Sequence, residues 1–165
     1  MQVYRVEFSG SDEEYPSGVY TARIPYGIGD KAADTFHYLT NLHMTNIDHK
    51  SKPNPFMEHI CNDYMPYVHF CACKNLEDLF FVWFEGKSWV IEQMLKVFTL
   101  AVYEVKEEYV KQGKAQLVFD RSEASLVSSI SYEELMDYIQ KLNSTYVDPY
   151  KEEKVEIEWQ KPLKL

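Results

Sequence analysis

Hydrophobic and polar positions alternate from the second residue onward. In QVYRVEF, Tyr4, Val6 and Phe8 fall on one side of an extended chain and Val3, Arg5 and Glu7 on the other, the period of two of a half-buried strand. A second strand is expected at 18–25. The pattern then changes: Asp30 stands where it can cap a helix over 30–43, with Ala33, Phe36, Tyr38 and Leu39 roughly on one helical stripe. From 44 to 66 the run MTNIDHKSKPNPFMEHICNDYMP has no clean period and carries three prolines, so it reads as a long loop, a kind of segment that is often functional.

YVHFCAC at 67–73 predicts a short strand. Asn75 can cap a following helix in which Leu76, Leu79, Phe80, Trp83 and Phe84 recur at helical spacing, with Gly86 as its stop. Ser88 can cap a second short helix through Lys96. FTLAVYEV at 98–105 reads as a central strand, and AQLVF at 115–119, after a turn at Gln112-Gly113, as its partner or neighbour. Ser131 and Glu134 form a capping box ahead of an amphipathic helix through Leu135, Tyr138, Ile139 and Leu142. VEIEW at 155–159 alternates strictly and predicts a closing, half-exposed strand. The order β-β-α-loop-β-α-α-β-β-β-α-β lacks regular βαβα alternation and implies one α+β domain over 1–165, a twisted, mostly antiparallel sheet with flanking helices.

Composition narrows the function classes. A hydrophobic content of 45% is that of a folding chain, and 165 residues suffice for a real core. The net charge of −9 repels phosphates, which argues against direct nucleic-acid binding, while an acidic surface suits a basic protein site. Three cysteines without a CxxC repeat fit free thiols in a reducing compartment, and no apolar run approaches twenty residues, so a soluble intracellular protein without membrane association is expected.

Candidate chemistry concentrates between His37 and Cys73. His69, Cys71 and Cys73 at i, i+2 and i+4 share one strand face, and His59 and Cys61 repeat the spacing; imidazole and thiolate are zinc donors, but paired ligands from tight turns are missing, and no metal is assigned. His69 lies too far along a strand to serve Cys71 as a base, which leaves Cys61 with a distant histidine. No GxSxG, P-loop or GxGxxG stretch occurs. The glutamates of VYEVKEEY and YKEEKVEIEW read as solvated surface, except that Glu104 sits inside an apolar strand.

The opening VYR strand, HFCAC followed by NLEDLFFVWF, then LAVYEVKEEYV, a glycine turn and AQLVFDRSEAS together resemble the ADP-ribosyltransferase-like fold over about residues 2–130. They also resemble a group of uncharacterised bacteriophage proteins with a VYR-type first strand, a histidine- and proline-bearing loop and a VYEV…GKQV-type hairpin. The first resemblance implies that Arg5 holds NAD from the first strand and that Gln116 takes the later catalytic position, with His69 and Cys71 where Ser-Thr-Ser or Tyr is expected. Glu104 would supply the charge that a neutral amide lacks. Tyr20, Tyr26 and Tyr67 become candidate stacking walls for the nucleotide.

Two functions follow. One is a phage-encoded ADP-ribosyltransferase-like protein, acting in the host cytoplasm, that binds NAD or a related nucleotide and modifies a host target. The other is a non-enzymatic acidic phage inhibitor that blocks a host defence or nucleic-acid-handling protein by surface mimicry. The first requires Arg5 and Gln116 around one cleft; a solvated Arg5 would make the opening strand only a strand.

Overall fold

Alternating β-branched and aromatic residues assemble one seven-stranded antiparallel sheet, with helices packed on one face. The computed structural model describes residues 1–8, 17–18, 30–47, 68–142 and 146–160. The elements that build the core are β1 (Gln2–Phe8), α1 (Asp30–Asn46), β3 (His69–Cys73), a π-helical segment (Asp78–Trp83), α2 (Ser88–Met94), β4 (Phe98–Val105), β6 (Gln116–Asp120) and α3 (Tyr132–Lys141). Three shorter or peripheral strands complete the sheet: β2 (Ser17–Gly18), β5 (Val110–Gln112) and β7 (Ala124–Ile130). The strand order is β5-β6-β3-β1-β4-β7, with β2 paired to the end of β1.

The period of two sorts the core into two clusters. Tyr4, Val6 and Phe8, with Cys73, Phe98 and Leu100, meet the buried residues of α1, α2, α3 and the π-helical segment. Val3, Phe70, Ala72, Ala101, Tyr103, Val105, Leu117 and Phe119 form the cluster of the opposite face. In α1 the buried stripe is Phe36, Leu39 and His43, with Ile47 buried just past its end, and the helix runs on to Asn46, into the stretch expected as loop; Tyr38 is exposed. The expected strand at 18–25 is described only at Ser17–Gly18, and the remainder lies outside the described residues.

Three expectations are corrected. AQLVF does not pair with 98–105: β6 lies between β3 and β5, and β4 pairs with β1 and with β7, the weakly hydrophobic strand ASLVSSI. Ser88 is the first residue of α2 rather than its cap, because its hydroxyl donates to the Glu158 carbonyl at 3.0 Å. VEIEW keeps its alternation, with Val155 and Ile157 packed on the core, but makes only one parallel bridge, Lys87 to Glu158. No ladder propagates from it because the chain enters α2 immediately after Lys87. The expected cap at Asn75 is present, its Oδ1 accepting the Asp78 N–H at 2.7 Å, as is the Ser131–Glu134 capping box.

Candidate functional site

Arg5 does not point into solvent. It is 9% exposed, its Nε donates to Glu7 Oε2 at 3.1 Å, and its Nη1 donates to the Cys71 carbonyl at 2.7 Å. The guanidinium also lies over the Phe70 ring, 4.6 Å from its centre. The sheet explains the placement. Tyr4 with Cys73 is the one register pair between β1 and β3, whereas β4 follows β1 along all seven residues. Where the β1–β3 ladder opens, the arginine takes a β3 carbonyl in its place.

Glu7 completes the network. Its Oε1 accepts the Tyr103 hydroxyl at 2.6 Å, and the Tyr103 ring carries the Arg121 guanidinium 4.6 Å from its centre. Burial, with the Glu7 carboxylate beside it, pushes the Tyr103 phenol well above its ordinary value. Arg121 donates from Nη1 to the Ala124 carbonyl at 3.2 Å, while its buried Nε has no hydrogen-bond partner. Two guanidiniums, one carboxylate and one phenol thus share a face with Phe70 and Phe119. Reading Arg5 alone missed Glu7, Tyr103 and Arg121, although a Glu two positions from an Arg on a buried strand signals an ion pair.

The other candidate residues lie elsewhere. Gln116 pairs directly opposite Cys73, which pairs opposite Tyr4, so Gln116 projects from the face carrying Tyr4, the face opposite Arg5. His69 and Cys71 alternate onto that same face as Gln116, as the i, i+2, i+4 spacing predicts. Glu104 also belongs to it, paired with Gln2 and exposed at the end of β4. Yet Glu104 is three strand spacings from Gln116, roughly 14 Å across the sheet. Arg5 and Gln116 therefore project from opposite faces of the sheet, because the register sets an odd offset between them. Tyr20, Tyr26, Tyr67, His59 and Cys61 lie outside the described residues. Among the described residues no three His, Cys, Asp or Glu gather as a metal-holding group.

A cleft of about 420 Å³ opens on the β4–β7 side, between the end of α2 and the start of α3. Glu92, Glu133 and Glu134 line it against one base, Lys96, with Ser129 and Ile130 of β7 forming its wall. β7 itself is the outermost strand, and Leu126 and Val127 on it are 57% and 45% exposed. No helix among the described residues is long and apolar enough to cross a membrane.

Comparison with known proteins gives one family. No curated protein and no solved structure matches the chain. The family model described as Bacteriophage T4 Y00F protein matches residues 1–133, a span that holds the whole sheet and the Arg5–Glu7–Tyr103 network. The chain belongs to this bacteriophage family.

Proposed function

We propose that the protein is a non-enzymatic binding protein, an acidic phage product that docks on and blocks a basic site of a host protein, of the kind that otherwise holds nucleic-acid phosphates. The disposition of charge carries the reading. Arg5, on which nucleotide binding would rest, is buried and bonded to Glu7 and Cys71, whereas Glu104, Glu107, Glu108, Glu123, Glu133, Glu134 and Asp137 are all exposed. Carboxylates on a surface of net charge −9 steer encounter with a cationic site and disfavour anionic ligands. An ADP-ribosyltransferase-like protein would need Arg5, Gln116 and Glu104 around one NAD molecule, and these side chains are divided between two faces.

The test has two arms. Calorimetric titration with NAD is expected to give no heat beyond dilution, for the native chain and for Arg5→Ala alike. The tagged protein, purified from infected host cells, is expected to retain a host protein in fixed stoichiometry and to release it as salt is raised. Saturable NAD binding that disappears in Arg5→Ala, with no host complex, would reverse the reading in favour of a nucleotide-binding protein.

A further inference from the structure

We infer that β7 is the docking edge, and that it receives an extended, lysine- or arginine-bearing segment of the partner as an added strand. This rests on the binding reading above and locates it. The two ends of the sheet are unlike. β5 is three residues long and carries Lys111, the usual defence of an edge against strand addition. β7 is seven residues long, holds no charged side chain and no proline, and pairs only with β4 among the described residues. A bulge at Val127, between the Val102–Ser128 and Tyr103–Leu126 pairs, interrupts the alternation; on either side of it each second residue turns its N–H and C=O outward, a template for an incoming strand of about 23 Å.

The chemistry of the occupant follows from what surrounds the edge. The strand ends at Ile130 in the wall of the acidic cleft, where Glu92 and Glu133 wait for a cationic side chain carried by the added strand. A second copy of this chain is the poorer occupant. Antiparallel pairing of β7 with itself would set Glu123 of each copy towards Glu133 and Glu134 of the other, between molecules that each carry −9. A basic segment meets the opposite charge at both ends.

The probe is a synthetic peptide alternating valine and lysine, matched to the seven residues of β7, followed by amide chemical shifts of the full chain. Saturable shifts are expected across Ala124–Ile130 and at Glu133, with none for the glutamate counterpart. N-methylation of alternate peptide nitrogens should abolish them without altering the protein, and Glu92→Lys/Glu133→Lys should weaken binding about tenfold. Shifts elsewhere, equal binding of the glutamate peptide, or a concentration-dependent dimer that protects β7 would overturn the inference. If the host complex forms while the peptide misses β7, the docking place alone fails; if no host complex forms, the binding reading fails with it.

Discussion

Replacing Arg5 by alanine would leave the Glu7 carboxylate, 6% exposed, with the Tyr103 hydroxyl but without a cation, and the Cys71 carbonyl without its side-chain donor. Breaking such a buried pair costs about 3–5 kcal/mol. Chemical denaturation of Arg5→Ala should register that loss, and the double variant Arg5→Met/Glu7→Gln should recover part of it. An unchanged midpoint in Arg5→Ala would show the guanidinium to be idle in the fold. Gly86 offers a second residue-scale prediction. It sits at φ +71°, and a Cβ there would lie 2.3 Å from the Glu156 carbonyl oxygen. Gly86→Ala should therefore cost about 2 kcal/mol or more in thermal or chemical unfolding, since backbone strain and a backbone clash add. At this scale the sequence was half legible. Alternation put Arg5 and Glu7 on one face, but their partners, Cys71 and Tyr103, are 66 and 96 residues away and depend on register.

Between elements, the chain after α3 acts as a strap across the helical layer. Tyr146 stacks on Phe81 at 4.7 Å and donates its hydroxyl to Asp78, while Trp89 Nε1 donates to Glu158 Oε1 at 2.9 Å. The π-helical segment makes room for this contact. Its wider turn buries Asp78, Leu79, Phe80, Phe81 and Val82 in succession, which a single α-helical stripe would not do. Burial raises the Asp78 carboxyl above its ordinary 3.8, against the smaller opposing pull of the Tyr146 hydroxyl and Lys74. A carboxyl raised in the folded state stabilises the fold when protonated. That contribution is complete below the unfolded value and is lost as pH rises through the folded one. Asp78→Asn, which cannot ionise, should therefore gain in melting temperature on the native protein between about pH 3 and about pH 7. A difference independent of pH would refute the sign. Elements with strong periodicity were legible, 98–105 and the capping box above all. β7 was not, because ASLVSSI is exposed along its length and carries little hydrophobic signal. VEIEW misled for the opposite reason, since alternation marks a half-buried extended chain whether or not a strand lies beside it.

For the whole molecule, sequence order and texture pointed to a phage family and to an antiparallel α+β sheet, and both hold. The site implied by the ADP-ribosyltransferase resemblance was not legible in the same way, because a shared cleft depends on the parity of strand register, and one residue of offset sends a side chain to the other face. Outward the described residues carry exposed carboxylates in excess over lysines on a chain of net charge −9, aromatic area such as Tyr38 and Trp159, and one uncharged edge. On the proposed docking function, association with a host protein should weaken as ionic strength rises, whereas the buried Arg5–Glu7 pair should be little affected. Hydrogen–deuterium exchange of the chain, free and in its host complex, tests this most directly. The account predicts that the amides of Ala124–Ile130 slow in the complex while those of β1 around Arg5 do not change. Protection confined to β1 and β6, or reproduced by NAD alone, would contradict it.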